Sequence, residues 1–162
     1  MSEKKESGIQ VIATNRQAGF KYEILEHFEA GLCLRGSEVK SVREGRANLS
    51  DSYVRLQAHE AYIVNLHISP YSHVSFDVPD PTRMRKLLLK STEIARLEGL
   101  ISRKGFTCVP LKLYFKQGWV KLEIAVGRGK KVYDRRESIK KKIQQREIDR
   151  SVKTDTRKKG GE

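Results

Sequence analysis

The stretch FTCVPLKLYFK (Phe106–Lys116), QG (Gln117-Gly118) and WVKLEIAV (Trp119–Val126) decides the fold class. Val109, Leu111, Leu113 and Phe115 alternate with Lys112, Tyr114 and Lys116, the period-two pattern of a strand with one buried and one wet face. Gln117-Gly118 supplies a tight turn, so the two runs read as a β-hairpin. Working outward, Ser52–Gln57 and Ala61–Ser69 alternate in the same way around a turn near His59-Glu60, with Tyr53, Val54, Leu56, Tyr62, Val64, Leu66 and Ile68 as apolar positions. That predicts a second hairpin. Gln10–Ala13, Phe20–Glu26 and Gly31–Leu34 add three further short strand-like runs.

Two helices interrupt the strands. Ser37 is placed to cap Glu38–Arg43, in which Val39 and Val42 share a side and after which Gly45 ends the run. Ser91 is placed to cap a helix through Lys104, with Ile94, Leu97, Leu100 and Ile101 as a core stripe and Gly105 as the stop. Between them, Val78-Pro79-Asp80-Pro81 forces extended backbone, a rigid surface break. About six short strands with one or two packed helices predict a mostly β fold, a small antiparallel barrel of the oligonucleotide-binding kind.

Charge narrows the partners. The chain has 162 residues and a net charge of +13, with an isoelectric point near 9.9. This directs it to nucleic acid, an anionic membrane surface or an acidic protein. Residues 127–162 carry 14 Lys or Arg against 6 Asp or Glu, a surplus of 8. Tyr133 is their one aromatic residue, so the segment holds too little apolar surface to order itself. Glu137/Lys141 and Asp149/Lys153 lie at helical i,i+4 spacing and Ile139/Ile143 share a face, so a helix forms readily on a partner although a free one is marginal. The expected organisation is a flexible N-terminus (1–8), one β-barrel domain (9–126) and a basic tail (127–162), disordered when free. The charged N-terminus has no apolar stretch of a signal peptide, no run reaches membrane-span length, and Cys33 and Cys108, each with apolar neighbours, read as small buried side chains of a cytoplasmic protein.

Signals for chemistry are weak. His27, His59, His67 and His73 lack metal-ligand spacing, neither cysteine has a near partner, and no metal or cofactor is expected. Gly127-Arg128-Gly129-Lys130-Lys131 lacks the Gly-Lys-Ser/Thr ending of a phosphate loop and reads as a flexible basic hinge. Glu29, Glu38, Asp51, Asp77 and Asp80 read as solvent-facing acids, since nothing sets two of them beside a nucleophile. The basic residues look more ordered. Arg35, Lys40, Arg43 and Arg46 flank the first helix, and Arg83, Arg85, Lys86 and Lys90 bracket Leu87-Leu88-Leu89, two clusters able to grip a nucleic-acid backbone. Of the aromatics Tyr22, Tyr53, Tyr62, Tyr71, Phe76, Tyr114, Phe115 and Trp119, most fit core positions and the rest are open to base stacking. On these features alone, a generic basic RNA- or ribosome-binding protein fits as well as a specific one.

Six motifs narrow that choice. Phe28-Glu29-Ala30-Gly31, Gly36-Ser37-Glu38-Val39-Lys40-Ser41, Ala47-Asn48-Leu49-Ser50-Asp51-Ser52-Tyr53, Asp80-Pro81-Thr82-Arg83, Arg85-Lys86-Leu87-Leu88-Leu89, and Gly129-Lys130-Lys131 with Asp134-Arg135-Arg136 run in order along Ile9–Arg136. Together they resemble the bacterial SsrA-binding protein family, small protein B. The resemblance implies an oligonucleotide-binding-like barrel with about three helices and a non-enzymatic, monomeric adaptor. Such an adaptor binds the tRNA-like domain of transfer-messenger RNA (tmRNA, or SsrA) and carries it to ribosomes stalled on mRNA without a stop codon, the step called trans-translation. It also implies RNA-binding roles for Glu29, Leu88 and Lys121, beside which Arg35, Lys40, Arg43, Arg83 and Lys86 of the two basic clusters are candidate RNA contacts. The resemblance further implies a tail that becomes helical in the empty mRNA path of the small ribosomal subunit. There Tyr133-Asp134-Arg135 would lie near the decoding centre and Lys130, Lys131, Arg135 and Arg136 would meet ribosomal phosphates. The chain departs from the family pattern at Gln17, where a second basic residue is expected, and beyond Ile139, where charge and spacing match better than identity. From the residues alone, Leu88 reads as core.

Overall fold

The computed structural model describes residues 8–73 and 78–158. Residues 1–7, with most of the predicted N-terminal segment, Phe76, Asp77 and the last residues of the tail, 159–162, lie outside the described residues. The chain divides into two compact units, one ending at Gly129 and the other starting at Lys130.

The first unit is built on β1 (Ile9–Thr14), β2 (Tyr22–Leu32), β3 (Ala47–Asn48), β4 (Tyr53–Gln57), β5 (Glu60–Val64), β6 (His67–Ile68), β7 (Arg85–Leu88), β8 (Phe106–Lys116) and β9 (Trp119–Gly129). Seven of these form one antiparallel sheet in the order β1-β8-β4-β5-β7-β2-β9, and an added β8–β9 pairing closes it into a ring. Closure leaves β1 outside the ring, paired to β8 alongside β4. Helices α1 (Ala18–Lys21), α2 (Gly36–Arg43) and α3 (Ser91–Ile101) complete this unit, matching the mostly β barrel with about three helices.

Both predicted hairpins form. Ala58 and His59 turn β4 into β5 with φ of 50° and 57°, and Gln117-Gly118 turns β8 into β9 with φ of 50° and 82°. These left-handed pairs match the twist of the flanking strands. Along β9 the expected alternation holds without interruption, with Val120, Leu122, Ile124 and Val126 in the core. Along β8 it changes phase. Pro110 cannot donate a ladder bond, and the pairing with β9 skips Leu111. The carbonyls of Pro110 and Leu111 accept from Asn15, at 3.0 Å from its side chain and 2.7 Å from its backbone N–H. As a result Leu113 and Phe115 face the core with Cys108 and Phe106, and Val109 and Leu111 do not join that cluster.

Other expectations are corrected in detail. Phe20 lies in α1, and Gly31 continues β2 without starting a new strand. Both longer helices of the barrel unit are capped by a carboxylate three residues in, where serine was expected: Glu38 accepts from the Arg35 N–H at 2.7 Å and Glu93 from the Lys90 N–H at 2.8 Å. Cys108 is buried, but Cys33 is exposed, since it follows β2 in the phase opposite to Phe28, Ala30 and Leu32. The supposed hinge at Gly127–Gly129 is strand: Gly127 pairs with Ile24, and a Cβ on it would lie 2.9 Å from the Glu23 carbonyl oxygen.

The second unit carries α4 (Val132–Lys158). No glycine or proline interrupts that run, which is why helix propagates through a segment expected to be disordered when free. Gln145 donates to Asp149 at 3.1 Å, one turn on, while Ile139, Ile143 and Ile148 stay exposed. Among the described residues no helix is long and apolar enough to cross a membrane.

Candidate nucleic-acid interface

On the barrel's outer face three strands, β7, β2 and β9, meet at one glycine. In β2, Phe28, Ala30 and Leu32 point inward, so Glu29 and Gly31 point outward. Gly31 is the register partner of Lys121 on β9 and of Leu88 on β7. The Leu88 side chain lies over Gly31, so close that a Cβ there would sit 3.2 Å from the Leu88 Cβ. Leu87 points into the core and Leu88 outward, 53% exposed. This corrects the reading of Leu88 as core, because the two leucines alternate on a strand and only one can face in. Glu29, Leu88 and Lys121 therefore share one surface, and Lys86, two residues from Leu88 on β7, faces the same way.

Glu29 is not a loose surface acid. Its Oε2 accepts from the Tyr114 hydroxyl at 2.6 Å and from Lys116 Nζ at 2.9 Å, and Lys116 reaches its Oε1 at 3.2 Å. The Tyr114 bond, followed by the Lys116 bond, holds the Glu29 carboxyl below the usual range. Its neighbour across the ladder, Glu123, is held by His27 at 2.9 Å. Trp119, two residues before Lys121 on β9, is 74% exposed.

The two basic clusters differ from each other. Lys40 and Arg43 on α2 are exposed and lie over the rings of Tyr71 at 5.5 Å and Phe115 at 5.6 Å. Phe115 precedes Lys116, so Arg43 connects α2 to the end of β8. Arg35 is exposed at the start of α2. The second cluster is not an open basic patch. Arg85 is fully buried, donating to Glu38 Oε1 at 2.8 Å, to the carbonyls of Leu66 at 2.6 Å and Arg83 at 3.1 Å, and to that of Pro81 at 3.0 Å. Arg83 donates to Glu38 through Nε at 3.0 Å and a terminal nitrogen at 2.5 Å. Glu38, expected to face solvent, is instead buried between them. Burial pushes its carboxyl up, but the bonds from Arg83, the Arg35 N–H and Arg85 outweigh this and hold it below the usual range. Lys86 is paired with Glu60, which also accepts from the Tyr62 hydroxyl.

This barrel has counterparts among known proteins. The family model described as SmpB protein matches residues 12–154. The chain belongs to the SmpB family. An SsrA-binding protein of Syntrophobacter fumaroxidans is 54% identical over 141 residues, covering 87% of this chain and 88% of its own length. One of Trichodesmium erythraeum is 47% identical over 154 residues, covering 94% and 99%. Among solved structures, a chain from work described as "tmRNA-SmpB: a journey to the center of the bacterial ribosome" superposes with a TM-score of 0.65 at 44% identity, covering 78% of this chain and 93% of that one.

Within this SmpB fold, the sequence reading missed how Tyr114 and Lys116 serve Glu29 from across β9. It also left Trp119 among residues assigned mostly to core. A signal was present for the tryptophan: it shares the parity of Lys121, opposite to Val120 and Leu122.

Proposed function

We propose that this chain is a non-enzymatic RNA-binding adaptor of the cytoplasm, which binds the tRNA-like domain of tmRNA and delivers that RNA to stalled ribosomes for trans-translation and ribosome rescue. Membership of the SmpB family supports the two partners. The observation that carries the RNA-binding surface is the meeting of Glu29, Leu88 and Lys121 around Gly31. On it, Lys121 supplies a cation for phosphate, Leu88 an apolar surface for a sugar or unstacked base, and Glu29 an acceptor for a base-edge donor or a 2′-hydroxyl. Phosphates cannot satisfy Glu29, so it provides discrimination where Lys121 provides grip. Arg35, Lys40 and Arg43 extend the cationic surface along α2. The tail, through Lys130, Lys131, Tyr133, Asp134, Arg135 and Arg136, engages ribosomal RNA near the decoding centre and lies as a helix in the mRNA path.

The test is binding to the tRNA-like domain against ordinary tRNA and unrelated hairpins across a salt series. All should weaken as salt rises through counterion release, with the preference for the tRNA-like domain surviving. RNAs that become indistinguishable would leave only charge at work. Cutting the chain after Gly129 should keep tRNA-like-domain binding and abolish peptide tagging on stalled ribosomes; loss of RNA binding on truncation would refute that division of labour.

A further inference from the structure

We propose that Tyr114 is a positioning residue for RNA recognition, its buried phenol fixing the Glu29 carboxylate so that the free side of that carboxylate meets a nitrogen or hydroxyl donor of the RNA. The inference deepens the proposed function and rests on its reading of Glu29 as an RNA contact.

The geometry is specific. Tyr114 stands on β8 with Lys121 of β9 as its register partner, while Glu29 stands on β2 with Glu123 of β9 as its partner. The phenol therefore spans β9 from one neighbouring strand to the other, and its hydroxyl ends 2.6 Å from Glu29 Oε2. The ring is packed, only 8% exposed, so its orientation is fixed on folding. The Glu29 side chain is 39% exposed and its long stem would otherwise rotate freely.

An anionic side chain on an RNA-binding face has a difficulty the cations there do not share. Approaching phosphates repel it, favouring either rotation away or uptake of a proton. Tyr114 opposes both without adding a mobile charge. The titratable groups facing Glu29 are Tyr114 and Lys116 from β8, Lys121 from β9 and its register partner Glu123, which is itself held by His27. A carboxylate offers about four acceptor positions. The hydroxyl takes one and the Lys116 ammonium bridges both oxygens, leaving acceptor capacity toward solvent for an exocyclic amine, a ring N–H or a 2′-hydroxyl. Burial first, and then the bond to Glu29, push the Tyr114 phenol well above its ordinary value, so it stays a donor.

The experiment compares the full chain with Tyr114→Phe, Glu29→Ala and the double variant, each bound to the tRNA-like domain and to an unrelated hairpin as pH falls from neutral. Tyr114→Phe keeps the packed ring. It should cut affinity for the tRNA-like domain about tenfold, leave hairpin affinity unchanged, and move the acid loss of binding to higher pH as the Glu29 carboxyl returns toward its ordinary range. On the Glu29→Ala background the same change should cost nothing further. If Glu29→Ala leaves the preference intact, the reading of Glu29 fails. If Glu29→Ala weakens binding but Tyr114→Phe does not, or Tyr114→Phe weakens it equally in both backgrounds, Tyr114 does not act through Glu29 and the inference is overturned.

Discussion

Two carboxylates of this barrel are built from similar parts and do different things. Glu38 accepts from Arg83, Arg85 and a backbone N–H; Glu29 accepts from a tyrosine hydroxyl and a lysine. Both are held ionised by their donors. Glu38 has nowhere to turn: its side chain is 2% exposed and that of its partner Arg85 is 0% exposed. Every bond it can make is internal, so the cluster ties α2 to β7 and to the loop before β7. Glu29 keeps an open side. The contrast teaches that ion pairing alone does not separate a structural acid from one proposed to meet RNA; unused acceptor capacity facing solvent does. By the same criterion Arg83, a predicted RNA contact, belongs mainly to the structural cluster, and Lys121 to the surface.

The largest effect should come from breaking the buried cluster. Glu38→Ala leaves Arg85 buried without its counter-ion and should cost about 3–5 kcal/mol of stability, read by denaturant unfolding. Glu29→Ala, measured alongside, should change stability by less than about 1 kcal/mol. Equal losses in the two variants would erase the distinction between them. Acid sharpens it further. The folded-state pKa of Glu38 lies below its unfolded value, so the stability it contributes is present above the ordinary carboxylate range and is lost as pH falls through the depressed value. Glu38→Gln should therefore flatten the acid limb of stability against pH, and a slope unchanged from the parent chain would contradict this.

A second pair tests the comparison between two adjacent residues. Leu87 is fully buried and Leu88 lies over Gly31 on the surface. Leu87→Ala should cost roughly 2–5 kcal/mol by opening a cavity, whereas Leu88→Ala should leave the unfolding midpoint nearly unchanged and weaken binding to the tRNA-like domain. Were the stability losses reversed, the outward assignment of Leu88 would be wrong.

Much of the barrel was legible because the strands advertise themselves by alternation, and β9 needed nothing else. In β8 the same rule put Val109 and Leu111 on the face of Leu113 and Phe115, which the shift at Pro110 undoes although Val109 is still buried; Pro110 was the warning, since a residue without an N–H inside a strand asks for a bulge. Local signals cannot report pairing across the chain. Glu38 lies 45 residues from Arg83 and 47 from Arg85, and nothing near it in sequence distinguishes it from a surface acid. The site was harder still. Leu87-Leu88 fixes that one leucine faces out but not which, and Glu29 meets Tyr114 only after β2 and β8 have both paired with β9. The resemblance to a family supplied Glu29, Leu88 and Lys121; it did not supply the donors that hold Glu29.

The smallest expected effect concerns the division between grip and discrimination. Lys121 is set beside Glu29 and Gly31 on β9, and its ammonium adds to the field that keeps Glu29 ionised. If it meets one phosphate, Lys121→Ala should weaken every RNA by a similar factor and reduce the slope of log affinity against log salt by about 0.7 to 0.9. The preference for the tRNA-like domain over an unrelated hairpin should persist, whereas Glu29→Ala should reduce that preference and leave the salt slope alone. A Lys121 variant that loses preference without losing slope would mean that this lysine contacts a base edge, or acts through Glu29 as Tyr114 is proposed to. In either case the outward face would be a single recognition unit in which the cation and the carboxylate cannot be separated.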